Sequence, residues 1–429
     1  MNTTPGTVPT AWTRQHTCAL TGLDARADLD DLEPLRRLVG DARVVAIGEG
    51  AHFVQEFSQV RQRVLRFLAE RCGFTVFAFE YSFVAADVLD AWLHGRDDRP
   101  LAQVAPAAAE WGAADLMTWL REYNTTGPAP LRFAGVDVPE AGGALRPVLE
   151  PLADLLAVAD PESETLARRA ITISDDFLAG LGSGAAAAPA WAGLPAAAQN
   201  ELTALLARLE LRLRAVGPMM TDRAQAGLVH RAERLLAGAR ATDYMFGATN
   251  DLLTGAGKTA DMSVRDRYMA ETLAWHLQEA GPRAKVVVAA HNNHVQKTAN
   301  VFDGQVTALP MGQHLASTLG TDYVSVAATH TAETVPEMVP DPAQPVGFRL
   351  HDTPAAEPAP GSVEHALEQA GLAGRATLTD LRQTPRDDRG SSLLGSIRTQ
   401  SGAMLTDLPA AFDAVVSVPT ATRDRTVSF

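Results

Sequence analysis

The stretch Val44-Val-Ala-Ile-Gly-Glu-Gly-Ala-His52 joins a short apolar run to a group of polar side chains. Its first four residues are β-formers and a glycine ends the run, which is typical of a buried strand in a parallel sheet. Apolar residues then follow with helical spacing from Val54 to Arg71, and Gly73 ends that pattern. Strand, polar turn and helix form half of a βαβ unit. Because ligands bind outside the carboxyl ends of strands in open α/β sheets, Glu49 and His52 are predicted to lie in a site.

Further apolar runs predict more strands of the same sheet, at residues 75–80, 131–137, 285–291, 323–328 and 414–418. The predicted fold class is therefore α/β, with a mostly parallel central sheet flanked by helices. Residues 1–28 are predicted to be an N-terminal extension, and residues 29–429 a single α/β domain.

Residues 144–277 show long helical periodicity, which predicts a large helical insertion that forms an active-site cleft over the strand ends. Within it, residues 183–198 are rich in alanine and glycine and contain two prolines, so a flexible connector is predicted there. The proline-rich residues 336–360 are predicted to be mostly loop.

Composition and charge exclude several classes of protein. The formal net charge of -14 argues against nucleic-acid binding, which needs a clustered basic face. No run approaches the roughly 18 apolar residues that would span a membrane. The polar first twenty residues do not resemble a secretory signal. Two cysteines, Cys18 and Cys72, are too few for a disulfide framework, which favours a cytoplasmic location. Oligomeric state stays open.

Four predicted strands end in polar residues that can converge, because the carboxyl ends of parallel strands share one edge. These residues are Glu49, His52, Glu80, Asp137, His291 and His294. Carboxylates are costly to bury at strand ends unless they are paired or used, so an active site is predicted here.

Proton transfer is the chemistry that this set permits. His52 backed by Glu49 could take a proton from water. Arg61 is predicted to be held by Glu80 and aimed at a developing oxyanion. Asp137 is assigned to substrate binding rather than to catalysis. Since the sequence has no nucleophile elbow, Walker loop or dinucleotide fingerprint, water is the predicted nucleophile.

Each candidate also has a structural alternative. Glu49 could cap the next helix, and Arg61 could lie on a solvated helix face. His291 and His294 could be metal ligands, with Glu49 or Glu80 completing the set.

Three longer motifs resemble those of the erythromycin esterase family, and of its type II-like macrolide esterases in particular. They are Val45-Ala-Ile-Gly-Glu-Gly-Ala-His52, Gly73-Phe-Thr-Val-Phe-Ala-Phe-Glu80 and Val288-Ala-Ala-His-Asn-Asn-His-Val-Gln-Lys-Thr298. Shorter matches extend the likeness over most of the chain from about Leu35, at residues 92–95, 119–124, 135–139, 267–270, 273–277, 310–312 and 361–364.

The resemblance implies an α/β core around a deep cleft, and hydrolysis of a macrolide lactone such as that of erythromycin, giving antibiotic resistance. It implies water activated by a general base, with no required metal or cofactor. The implied base is His52, and the rest of the implied site is Glu49, Arg61, Glu80, His291 and His294.

Two further hypotheses remain. The same acid and base groups could serve a lyase, dehydratase, cyclase or hydrolase acting on a polyketide intermediate in biosynthesis. Alternatively, His291 and His294 could bind a metal or haem without catalysis.

Overall fold

The computed structural model describes residues 7–219, 223–302 and 305–429. Its strands are β1 Thr17–Ala19, β2 Val44–Ile47, β3 Val76–Ser82, β4 Arg132–Asp137, β5 Val286–Ala289, β6 Asn300–Phe302, β7 Gln305–Ala308, β8 Tyr323–His330, β9 Thr334–Pro340, β10 Phe348–Pro354, β11 Thr377–Asp380, β12 Ser396–Thr399, β13 Gly402–Leu405 and β14 Ala414–Val418.

The helices before the insertion are α1 Thr10–His16, α2 Glu33–Val39, α3 Gln55–Cys72, α4 Ala86–Leu93, α5 Leu101–Val104, α6 Pro106–Glu110 and α7 Ala114–Thr126. Those of the insertion are α8 Arg146–Ala159, α9 Pro161–Leu178, α10 Gly184–Ala192, α11 Ala196–Val216, α12 Arg223–Thr254 and α13 Ser263–Ala280. The later ones are α14 Asn292–Val295, α15 Met311–Leu319, α16 Val363–Gln369 and α17 Leu408–Ala411.

Eight strands form the central sheet in the order β1-β11-β14-β8-β2-β5-β3-β4. From β14 to β4 every neighbouring pair is parallel, whereas β11 pairs antiparallel with both β14 and β1. The predicted α/β class with a mostly parallel sheet is confirmed. The sheet places β2, β5, β3 and β4 side by side, so the four strands that precede the polar residues end next to one another.

Both faces of the sheet are covered, which explains why β2 is apolar throughout. Successive residues of a strand point to opposite faces. Val45 packs in one cluster with Phe57 of α3, whereas Val44 packs in another with Leu273 of α13. All four β2 residues are buried.

The helical insertion has a core of its own, and residues 183–198 belong to it. They form α10 and the start of α11, so the predicted flexible connector is wrong. Alanine has the highest helix propensity. Ser183 caps α10 by accepting a hydrogen bond from the backbone of Ala186, and Ala187 and Ala188 are buried. The segment is therefore ordered by capping and packing.

Residues 336–360 are also more regular than predicted, because β9 and β10 pair as an antiparallel hairpin. Twelve of these 25 residues lie in the two strands, so the predicted loop covers only about half of the segment. In a two-stranded ribbon each strand is paired along one edge only. A proline whose nitrogen faces the open edge therefore removes no hydrogen bond between the strands. Pro336 and Pro340 of β9 are thereby accommodated.

Close packing after β2 generates a stability prediction. A Cβ atom on Gly48 would overlap Oδ1 of Asn292, whose Nδ2 donates to the carbonyl of Ala328 at 2.8 Å. Gly48→Ala should lower the free energy of unfolding by about 1–3 kcal/mol, as overpacking does. Urea denaturation measures this. The control is Gly374→Ala, where no atom lies within 4 Å of the added carbon. Equal stabilities of the two variants would contradict the packing argument.

Candidate active site

The loop between β2 and α3 presents His52 at the sheet edge. A Cβ atom on Gly50 would lie 2.8 Å from the carbonyl oxygen of Ala328, so glycine permits the close passage of the loop. The backbone N–H of His52 donates to Oε1 of Gln400 at 2.8 Å. Phe53 then adopts a left-handed backbone conformation, with φ of 64°, which is uncommon outside glycine and concentrated at functional sites.

Glu49 lies at the centre of a three-residue chain. Its Oε1 is 2.7 Å from Nδ1 of His52, and its Oε2 accepts a hydrogen bond from the guanidinium of Arg61 in the second turn of α3. The Arg61 side chain is only 6% exposed, and its guanidinium also lies 5.1 Å from the ring centre of Phe79. Arg61 therefore compensates the buried charge of Glu49 while Glu49 holds the imidazole.

The charges of this chain set the tautomer of His52. Burial alone would raise the pKa of Glu49, but Arg61 and His52 lower it to about 2. An ionised carboxylate only accepts hydrogen bonds, so Nδ1 of His52 carries the proton and Nε2 of the neutral ring is free. Burial alone would lower the pKa of His52, but the hydrogen bond and charge of Glu49 raise it above 6.5.

Arg265 joins the ends of β3 and β4. Its Nε and one NH2 group donate to the two carboxylate oxygens of Asp137 at 2.9 and 2.6 Å, and the same NH2 group donates to Glu80 at 3.0 Å. Such two-point pairing is the strongest geometry for a buried arginine and carboxylate. Because Arg265 lies at the start of α13, this network ties the helical insertion to the sheet.

His294 is held as a cation by two carboxylates. Its Nδ1 is 2.7 Å from Oδ1 of Asp266, and its Nε2 is 3.5 Å from Oε1 of Glu80. Burial alone would lower its pKa, but these carboxylates raise the pKa of His294 to about 9. The pKa of Glu80 is lowered despite burial, chiefly by His294 and Arg265.

His291 is the neutral member of the set. Its backbone N–H donates to Glu80 at 2.8 Å, and its Nδ1 accepts from the backbone N–H of Asn293 at 3.2 Å. Its ring centre is 4.7 Å from that of His52. Burial and the nearby His52 lower the pKa of His291 to about 3. Nδ1 acts as acceptor, so Nε2 carries the proton, and among the described residues this buried Nε2 has no partner.

A cavity of about 300 Å³ opens beside this network. Glu49, His52, Arg61, Glu80 and Asp137 line it, together with aromatic side chains from several elements. Those aromatic residues are Phe53, Phe79, Tyr81, Trp111 and Phe348. The hairpin β9–β10 and the insertion thus complete a pocket that the sheet begins.

The structure brings the predicted residues together, but with different partners. Arg61 pairs with Glu49 and not with Glu80, so that predicted pairing is wrong; Glu80 pairs with Arg265 instead. Arg61 lies near enough to Glu49 to reach it because α3 begins close to the end of β2. Glu49 does not cap α3, whose N-cap is Val54 without a side-chain cap, so the capping alternative is wrong.

Sequence reasoning missed Arg265 and Asp266, because neither follows a strand. Their only signal is a charged pair in the first turn of a helix. Within the described residues, no group of three or more His, Cys, Asp or Glu side chains has an arrangement that could hold a metal ion. No described helix combines the length and apolar character needed to cross a membrane.

Comparisons with known proteins identify the class of enzyme. Residues 69–421 match the family model for erythromycin esterase. The chain is 33% identical to erythromycin esterase type II of Escherichia coli over 393 residues, covering 91% of this chain and 92% of the relative. It is 32% identical to the type I enzyme of the same organism, covering 94% and 97% of the two chains.

A solved structure agrees with these matches. A mutant of the erythromycin esterase EreC in its open conformation superimposes with a TM-score of 0.87 at 30% identity, covering 99% of both chains. The protein is thus an ester hydrolase. It belongs to the erythromycin esterase family, as the sequence motifs predicted.

The Arg265 network yields a second stability prediction. Arg265→Met leaves Asp137 and Glu80 buried without their shared cation, which should cost about 3–5 kcal/mol. The control is Arg267→Met, which removes an arginine that is 60% exposed and pairs with Glu271, and little change is expected. Urea denaturation at neutral pH compares the two. A loss for Arg265→Met no larger than the control's would contradict the assigned role of Arg265.

Proposed function

We propose that this esterase opens the lactone ring of a macrolide such as erythromycin, with His52 as the general base that activates water. The observation that carries the proposal is the chain from Arg61 through Glu49 to Nδ1 of His52, which leaves Nε2 free beside the cavity. The macrolide assignment is supported by the names of the relatives, which cover most of the chain.

The proposed reaction has two proton transfers. Nε2 of His52 takes a proton from water as the water oxygen bonds to the lactone carbonyl carbon, giving a tetrahedral oxyanion. The bond from that carbon to the ring oxygen then breaks. The imidazolium gives its proton to the departing alkoxide, and Glu49 stabilises the transient positive charge. One water is consumed, and the product carries a carboxyl and a hydroxyl group.

Two side chains are proposed to stabilise the oxyanion. Arg61 lines the cavity and supplies positive charge, and the unpartnered Nε2–H of neutral His291 is a donor close to His52. A hydrogen-bond donor aimed at the developing charge typically raises kcat 10²–10³-fold, which corresponds to about 3 kcal/mol. Glu80, Asp137 and His294 are proposed to hold this arrangement, with Asp137 also facing the substrate.

Mass spectrometry of erythromycin incubated with the protein tests the function. The product should gain the mass of one water, because hydrolysis adds it and a cyclase or lyase does not. His52→Gln should lower the rate by about 10²–10⁴-fold, which is the usual contribution of a general base. The control, His365→Gln on α16, should react like the wild type. Full turnover by His52→Gln would refute His52 as the general base. No mass change with the wild type would refute erythromycin as a substrate.

The pH dependence tests the role of Glu49. Only neutral His52 is a base, so kcat/KM should rise with pH through the pKa of His52, which Glu49 raises above 6.5. Glu49→Gln removes the negative charge that stabilises the imidazolium, so this rise should move to lower pH while the plateau falls. Glu80, His291 and His294 also face His52 and are unchanged in the variant. A rise that stays at the same pH would contradict the assignment.

A further inference from the structure

The carboxylates that line the active-site cavity are not all compensated. Glu49 forms an ion pair with Arg61, and Arg265 forms ion pairs with both Asp137 and Glu80. Two further carboxylates line the same cavity, those of Glu140 and Asp424. Among the residues that the structure describes, neither forms an ion pair with a cationic side chain, so the cavity holds more negative than positive charge.

Glu140 is placed on the cavity wall by a constrained turn. It follows β4, and both Glu140 and Ala141 have left-handed backbone conformations, with φ of 48° and 49°. Such conformations cost about 1–3 kcal/mol each outside glycine and persist only where surrounding structure fixes them. Packing fixes this turn: a Cβ atom on Gly143 would lie 2.6 Å from the backbone of Ser183, which caps α10.

The Glu140 carboxylate is partly removed from water without a compensating partner. In the described part of the chain, no side chain donates a hydrogen bond to it. Burial, with a contribution from Glu110, raises the pKa of Glu140. A cationic group of a ligand would compensate the negative charge of this carboxylate.

Asp424 provides an independent observation of the same kind. The residue is only 2% exposed. Its Oδ1 accepts from the backbone N–H and the hydroxyl of Thr426, at 2.8 and 2.7 Å. Its buried Oδ2 has no partner in the described parts of the chain. A buried carboxylate oxygen normally has a hydrogen-bond donor, so this one lacks a group that a ligand could supply.

Aromatic side chains line the same cavity as the two carboxylates. Burial raises the pKa of the Tyr81 phenol, and the charge of the nearby Glu140 contributes to the shift. Trp111 lines the cavity and packs against Phe53 and Phe348, with ring centres 6.2 and 6.0 Å apart. Aromatic rings attract cations through their negative faces, and aromatic residues beside acidic ones are the usual recognition set for alkylated amines.

We propose that this cavity contains a subsite for a protonated alkylamine of the substrate, formed by Glu140, Asp424 and the faces of Tyr81 and Trp111. The subsite deepens the proposed function, on which it rests, by restricting the substrates to macrolides with a basic amine. It acts on binding and orientation and takes no part in proton transfer, so its loss should appear in KM rather than in kcat.

The test compares two substrates on four proteins. The substrates are erythromycin, which carries a tertiary amine, and its N-demethylated and N-acetylated derivative, in which that nitrogen is neutral. The proteins are the wild type, Glu140→Gln, Asp424→Asn and the control Glu110→Gln, which removes a neighbouring charge from an exposed residue outside the cavity lining. KM and kcat are measured for each pair, and affinity is measured by calorimetry in the His52→Gln background.

Loss of the Glu140 charge should weaken binding of the charged substrate and leave binding of the neutral one unchanged. Glu140→Gln should raise KM for erythromycin about 10- to 100-fold, as loss of a hydrogen bond to a charged group does, with kcat and the neutral substrate unaffected. Glu110→Gln should behave like the wild type. Asp424→Asn keeps an Oδ1 acceptor for Thr426 and should shift KM in the same direction.

Two results would overturn the subsite. One is an equal KM of the wild type for the two compounds, and the other is an equal change of the two KM values in Glu140→Gln. The calorimetric measurement separates this failure from failure of the proposed function. Charge-selective binding without hydrolysis would support the subsite and refute the proposed lactone hydrolysis. Equal hydrolysis of both compounds would support the lactone hydrolysis and refute the subsite.

Discussion

The carboxylate of Glu49, shared between Arg61 and His52, is the interaction on which the site depends. A lone carboxylate at the end of a buried strand would be costly to desolvate. Arg61 compensates the charge on one oxygen, which leaves the other oxygen to fix the imidazole. The sheet makes this possible because β2 is central and covered on both faces, so its end is sheltered from water yet faces the cavity.

A second ion network positions the rest of the site. Arg265 at the start of α13 joins Glu80 and Asp137, and Asp266 beside it holds His294. The network therefore fixes the helical insertion against the strand ends. Two histidines that are three residues apart thereby differ in charge. Burial and the nearby His52 keep His291 neutral, whereas Asp266 and Glu80 hold His294 as a cation at neutral pH.

The sheet and its polar edge could be predicted from sequence because a buried parallel strand is apolar on both faces and its end is marked by the first polar residue. Glu49, Glu80 and Asp137 were located in this way. Side-chain pairing could not be predicted, since Arg265 is distant in sequence and does not follow a strand. Residues 183–198, and the strand-forming half of residues 336–360, were misassigned because proline and glycine indicate a break only when tertiary packing does not override them. Ala187 and Ala188 are buried, and β9 pairs with β10.

The role of Glu49 is tested most directly by a pH titration of nitrogen-15-labelled histidines by NMR spectroscopy, comparing the wild type with Glu49→Gln. Neutral His52 should carry its proton on Nδ1, and its pKa should lie above the ordinary value for histidine and fall in the variant. A neutral His52 protonated on Nε2, or a pKa that is unchanged when the charge of Glu49 is removed, would contradict the claim that Glu49 holds His52 as the base.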